Sequence, residues 1–229
     1  MGLAEVLERA PSFTGVDRAL VERLAASAVS RSFARGEYLW RAGDPARSLT
    51  LIRSGLVKVV RAGARGRAAI CGLFGPPDCI DDVAVLKGIA HPADAVVATD
   101  SATVVAIPCD LVIDASQRDP RLGMAIACGM QAQVAALSTK IDVLSAGSVE
   151  SRLAMLLLRL YDQLGDDFED GTSVIPVSLS RRELADLVST SFETAIRVMT
   201  RWEREQVVST ESAGFTVHDM NALRSAAEP

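Results

Sequence analysis

The sequence lacks any run of the ~18 uncharged apolar residues that a membrane-spanning helix needs, and Glu5, Glu8 and Arg9 stand where a secretory signal would be apolar. The expectation is a cytoplasmic chain without a membrane partner. Cysteine is scarce and scattered: Cys71, Cys79, Cys109 and Cys128 form no C-x-x-C pair, and the two histidines, His91 and His218, lie far apart. A structural zinc site is therefore unsupported, and reduced, mostly buried thiols are expected. No Ser/His/Asp grouping, Walker loop or metal triad is present, so an enzyme is not expected. Lysine is missing from Ser148 onward, where eight arginines face fourteen acidic residues, a balance of -6 against +1 for the rest. That is no basic nucleic-acid tail, and any DNA contact there must come from a local arginine constellation.

What is present is a globular composition: 229 residues, 49% hydrophobic, net charge -5, enough for one large domain or two small ones. From Ser32 to about Cys109, short β-rich runs such as Ser48 to Ile52, Leu56 to Val60, Ala68 to Cys71, Ala95 to Ala98 and Ala102 to Ile107 alternate with turn residues. This spacing predicts a sandwich or barrel. Gly43 and Gly55 are expected to supply positive-φ turn positions, and Gly63 to Gly66 a hairpin tip. Residues 3 to 30 have the spacing of flanking helix.

After Pro120, apolar residues fall at Ala127, Met130, Val134, Leu137, Ile141 and Leu144 in unbroken three-four alternation. This is a heptad seam with Ala127, Val134 and Ile141 at a and Met130, Leu137 and Leu144 at d, a pattern that favours parallel pairs. The alternative is a helix lying on its own domain. From Arg121 to Ser145 the helix would be roughly 38 Å long at ~1.5 Å per residue. Ser148 caps a further helix bearing Leu153, Leu156, Leu157 and Leu160, an acidic loop follows, and Val174 to Val177 has the character of a short edge strand. The expected organisation is 1–119, 120–146 and 147–229.

Two capping boxes, Ser180-Arg181-Arg182-Glu183 and Thr190-Ser191-Phe192-Glu193, announce two helices joined by a tight turn, a helix-turn-helix. The second exposes Phe192, Glu193, Ile196, Arg197 and Arg201, while Ala195, Val198, Met199 and Trp202 face inward. Glu193 and Arg197 share one face at its N-terminal end, where base edges are read: arginine suits guanine O6 and N7, and glutamate accepts from cytosine N4. The alternative is an ordinary i, i+4 surface ion pair. A hairpin of Val207 to Thr210 and Phe215 to Val217 makes the motif winged. Ser180, Arg181, Thr190 and Ser191 complete the candidate DNA-binding set.

In this order the motifs resemble the CRP/FNR family of bacterial transcription regulators. The resemblance rests on Gly36-Glu37, Leu39, Gly43-Asp44 and Leu51 to Val59, then the long helix, then Leu179 to Thr200. It implies an α+β chain: a cyclic-nucleotide-binding-like β-roll, a dimerisation helix and a winged helix-turn-helix. It further implies a homodimer on a palindromic operator, an effector in the roll that shifts a hinge near Gly147, and RNA polymerase as a conceivable partner. Family members read a G·C pair with a Glu and an Arg four residues on, matched by Glu193 and Arg197. The preceding position, arginine in the cyclic-AMP-responsive branch, is Phe192, expected against a thymine methyl or deoxyribose.

The family's nucleotide cassette is also altered. Its arginine and following hydroxyl become Ala93 and Asp94, Asp81 and Asp82 occupy its earlier part, and Pro77 replaces a nearby glycine. A pocket so furnished is expected to reject a cyclic phosphate. Four thiolates for an iron–sulfur centre are not grouped, since Met1 to Ile70 holds no cysteine. No cofactor is expected; haem, with Cys71, Cys79 or His91 as axial ligand, stays open. The alternative function is a redox, haem or small-molecule sensor whose winged domain mainly contacts protein.

Overall fold

Strands with apolar residues on both faces set the architecture of the N-terminal unit. In β3 (Ser48–Ser54), Leu49 and Leu51 join one core cluster and Ile52 another, and with Thr50 all are buried. Double burial requires material on both faces of the sheet. The computed structural model describes residues 2–62, 68–80, 82–130, 134, 138, 141, 147–169 and 171–228, and the chain divides into two units, Met1–Ala136 and Leu137–Pro229.

In the first unit two antiparallel four-stranded sheets form the roll. One has the order β1 (Val29–Ala34), β8 (Ser101–Pro108), β3, β6 (Cys79–Ile80). The other runs β2 (Tyr38–Trp40), β7 (Asp94–Val97), β4 (Val57–Ala62), β5 (Ala68–Phe74). Between them lie Ile52, Val57, Phe74, Ile80, Ala95, Val97, Ala102 and Val104. The outer face of the first sheet, through Leu49, Leu51, Val105 and Ile107, packs on five helices. These are α1 (Leu3–Glu8), α2 (Arg18–Ala26), α4 (Cys109–Arg118), α5 (Pro120–Gly129) and, through Val85, α3 (Asp82–Lys87), which links β6 to β7. Each such fully buried Leu, Ile or Val contributes roughly 1.5–3 kcal/mol. The turn from β3 to β4 depends on Gly55, at φ 77°, where a Cβ would run into the Ser101 carbonyl. Gly43 likewise has φ 93°. The expected hairpin tip, Gly63 to Gly66, lies outside the described residues.

Pro120 starts α5 with Asp119 as its cap, the Asp119 carboxylate accepting the Arg121 N–H at 3.0 Å. Leu122, Ala125, Ile126 and Gly129 are buried while Met124 and Ala127 are exposed. Val134, Ser138 and Ile141 are also helical and exposed, and Met130 is half-buried at a turn. Leu137 and Leu144 lie outside the described residues. Met124, Ala127 and Val134 of the first unit and Ile141 of the second are thus exposed apolar residues.

In the second unit α6 (Val149–Leu164) is capped by the Ser148 hydroxyl, which accepts the Ser151 N–H at 2.9 Å. Its own sheet has the order β11 (Val208–Thr210), β12 (Phe215–Val217), β10 (Ser173–Ile175), β9 (Asp166–Asp167). The segment expected at an edge is therefore corrected: β10 is an inner strand paired on both sides. Pro176 falls just beyond its last residue, so its missing N–H costs no ladder bond. Between β10 and β11 lie α7 (Arg181–Leu187) and α8 (Phe192–Arg204), and α9 (Met220–Ala227) ends the chain against α6.

Candidate nucleic-acid interface

The first capping box closes as its residue types require: the Ser180 N–H donates to Glu183 Oε2 at 2.9 Å, and the Glu183 N–H donates to Ser180 Oγ at 3.2 Å. The second does not close as a box, and the helix is capped one residue later. Ser191, not Thr190, caps α8, its hydroxyl accepting the Thr194 N–H at 3.1 Å. The Thr190 N–H closes the end of α7 on the Ala185 carbonyl, at 2.9 Å, and so is not open to the Glu193 carboxylate as the expected box requires. Ser189 turns the chain with φ 50°.

Ala195, Val198, Met199 and Trp202 are buried, which leaves Phe192, Glu193 and Arg197 exposed at the N-terminal end of α8; Ile196 is half-buried. Glu193 and Arg197 form no ion pair with each other, and Arg197 has none among the described residues. The Glu193 carboxylate turns back to its own N–H and to the Ser191 hydroxyl, and these bonds hold its pKa below the usual carboxylate range. Phe192 is covered on one side by the Arg182 guanidinium, 5.8 Å from the ring centroid. Arg181 is half-buried, and desolvation lowers its pKa.

Arg201 has a different situation from the other candidates. Its guanidinium is engaged by Glu150 of α6, whose Oε1 also accepts the Trp202 indole N–H at 3.0 Å. Glu150 thus anchors the outer and inner faces of α8 at once, and Arg201 is committed to that anchor. No local signal in the sequence marks a partnership across fifty residues. Sequence reasoning also passed over Arg182, which only the packing of α7 against α8 brings to Phe192. At the wing tip the Thr216 hydroxyl donates to Glu211 Oε1 at 2.9 Å, so that end of the hairpin presents a carboxylate.

In the roll, Ala93 is buried and its carbonyl accepts the Trp40 indole N–H at 3.1 Å. Trp40 and Ala93 line a cavity of about 150 Å³ with Phe74, Ile80 and Cys71; Arg61 is its cation. The expectation placed Asp94 in this pocket with Asp81 and Asp82 nearby. Asp94 is half-buried and accepts the Ala42 N–H at 2.7 Å, and neither it nor Asp82 lines the cavity. Asp82 is fully buried at the start of α3, with Oδ1 accepting the Val83 N–H at 3.0 Å. Asp81 lies outside the described residues. The haem candidates do not fit a porphyrin: the His91 ring is stacked on Trp40 at 4.2 Å, and burial pushes the Cys79 thiol up to about 12. Cys71 borders the small cavity. Among the described residues no three His, Cys, Asp or Glu side chains are grouped for a metal, and no helix is long and apolar enough to cross a membrane.

A roll followed by a winged helix-turn-helix defines a two-part sensor and DNA-binding class, and the comparisons agree. Residues 30–119 match the cyclic nucleotide-binding domain family, and residues 151–226 the Crp-like helix-turn-helix domain family. The chain is 27% identical over 192 residues to the anaerobic regulatory protein of Pasteurella multocida, covering 82% of this chain and 68% of that one. It is 23% identical to a CRP-like cAMP-activated global transcriptional regulator of Mycobacterium tuberculosis, covering 96% and 97%. A CRP-family transcriptional regulator of known structure from Thermus thermophilus superposes with a TM-score of 0.73 at 26% identity, covering 86% and 96%. The chain belongs to the CRP/FNR family: it is a transcription regulator with a helix-turn-helix DNA-binding domain, in a family of regulators rather than enzymes.

Proposed function

We propose that this regulator binds an inverted repeat as a homodimer and does so without a cyclic nucleotide. In this reading residues 1–119 form the sensor, 120–146 pair two chains, and 147–229 hold the operator. The observation that carries it is Arg197, exposed one helical turn beyond Glu193 and free of an ion pair among the described residues. A guanidinium spent on a surface pair would be a poor reader of guanine; this one is available for O6 and N7. Phe192, braced by Arg182, offers the adjoining apolar contact. Twofold pairing is supported by the exposed apolar residues Met124, Ala127, Val134 and Ile141.

Nucleotide independence is supported by the cavity beside Ala93. Its volume of about 150 Å³ is half the lower bound of roughly 300 Å³ for drug-sized ligand sites. The Trp40 indole fills space next to Ala93, and Ala93 itself has no charge to offer a cyclic phosphate, which leaves Arg61 as the cation on the lining.

Selection from random DNA by mobility shift is the decisive experiment. A twofold-symmetric motif with half-site centres about 34 Å apart is the expected product; enrichment of no motif would refute the reading. Calorimetric titration with cyclic AMP tests the second part. Saturable 1:1 binding tighter than about 100 µM, roughly -5.5 kcal/mol, would overturn it.

A further inference from the structure

The roll contains a second cavity, of about 360 Å³, which shares only Trp40 with the small one. That volume lies within the range of roughly 300–1,000 Å³ typical of small-molecule sites. Its walls are apolar where Phe33, Leu39, Trp40 and Val104 contribute, and it is bordered by two guanidinium groups, Arg31 and Arg47. Both arginines are exposed, and neither forms an ion pair among the described residues. The carboxylate on the lining, Asp44, is turned into its own loop, where Oδ2 accepts the Arg41 N–H at 2.8 Å. Thr50 is 5% exposed, and among the described residues its hydroxyl is held only by a 3.4 Å contact to the Ser48 carbonyl, close to the limit of a hydrogen bond. A buried hydroxyl with unused capacity therefore faces a cavity whose positive charge exceeds its negative charge.

The strand register separates the two cations. Arg31 lies opposite Val104 of β8, while the Arg47 carbonyl accepts the Cys109 N–H at 2.9 Å. From Val104 to Pro108, which pairs with Ser48 next to Arg47, β8 advances four residues, about 13 Å at ~3.3 Å per residue, so the two arginines border the cavity at levels at least that far apart. Each level offers one guanidinium fork. One fork balances the single charge of a carboxylate, but not the nearly double charge of a phosphate monoester.

We propose that this cavity, bracketed by Arg31 and Arg47 and walled by Phe33 and Trp40, binds an elongated organic dicarboxylate with an apolar middle. Such a ligand satisfies both cations, offers an acceptor to Thr50 Oγ1 and covers the apolar wall. Because it would pack on Trp40, it also bears on the indole bonded to Ala93.

Octanedioate is a suitable probe, with octanoate and octane-1,8-diol as controls, titrated calorimetrically into the full-length protein. Saturable octanedioate binding below about 1 mM is expected, with octanoate at least about tenfold weaker and the diol silent. Arg31→Gln and Arg47→Gln should each weaken octanedioate about tenfold, the loss of one charge-assisted contact, with unchanged melting temperature because both sites are exposed. Three results would overturn the proposal: no saturable binding of octanedioate, equal affinity for octanoate, or unchanged affinity in both arginine variants.

Discussion

If the exposed apolar residues beyond α5 are where two chains meet, trimming them should weaken dimerisation by an amount that follows from the structure. Val134 and Ile141 are 60% and 64% exposed in the single chain. Replacing both by alanine removes two and three carbons, at ~0.8 kcal/mol for each carbon fully withdrawn from water. Scaled to the exposed share, the loss is about 1.0 kcal/mol for Val134 and about 1.5 kcal/mol for Ile141 in each chain. A twofold interface counts both chains, giving about 5 kcal/mol and a dissociation constant raised by between three and four powers of ten. Analytical ultracentrifugation of Val134→Ala/Ile141→Ala across nanomolar to micromolar concentrations reads this directly. Folding should be spared, because neither side chain is buried in the single chain. A double variant that sediments as the wild type does, with the same dissociation constant, would show that the seam lies elsewhere.

Other consequences can be checked separately. Arg197→Ala should cost on the order of 1 to 3 kcal/mol on the selected operator and relax preference at one G·C pair in a mobility-shift competition; equal losses on random DNA would mean that Arg197 meets phosphate only. Glu150→Ala strands the indole N–H of Trp202, which is 2% exposed, and should lower the urea-derived stability by about 1–3 kcal/mol, whereas Glu150→Gln keeps an acceptor and should cost less. The Cys79 thiol ionises at about 12 in the fold against an ordinary 9.0. Its contribution to stability is therefore complete below 9.0 and lost as pH climbs through about 12, which denaturation at graded alkaline pH will show. Iodoacetamide at neutral pH should accordingly label exposed Cys128 and spare buried Cys79 in mass spectra; the reverse order would contradict the packing.

The turns and the helix pair were legible because their chemistry is local. Gly43 and Gly55 take positive φ, and the Ser180 box forms between residues three apart. The edges of the roll were not. β1 is exposed at five of its six positions and β2 spans only Tyr38–Trp40, so neither carries the alternation that marks a half-buried strand. The cap of α8 was misplaced for a different reason. Thr190 and Ser191 are equivalent acceptors by residue type, and nothing local tells that the Thr190 N–H bonds back to the end of α7, so that the next helix starts one residue later. Asp82 shows the limit of arguing pocket charge from alignment. An aspartate beside a ligand site and one fully buried at a helix start look alike in sequence, although full burial is rare for this residue.

Formal charge raised the hardest question for the DNA-binding half, and the placement of its carboxylates answers it. Glu183 closes the cap of α7, Glu193 is drawn to the N-terminus of α8, and Asp219 caps α9 through the Ala222 N–H at 2.9 Å. Each sits where the partial positive charge of a helix start offsets part of its own. Glu150 is engaged by Arg201, and Asp167 accepts hydrogen bonds from Ser173 and Tyr161, which lower its pKa. These five acids are thus committed to caps and side-chain partners, while Arg182 and Arg197 stand exposed at the front of the helix pair. Screening confines each charge's influence to about 8–10 Å at physiological salt, so a phosphate approaching α8 meets those two guanidinium groups before it meets the net charge of the domain. A negative domain total and a local DNA-binding surface are therefore compatible, because the operator responds to the field at one helix end and not to a sum over the chain.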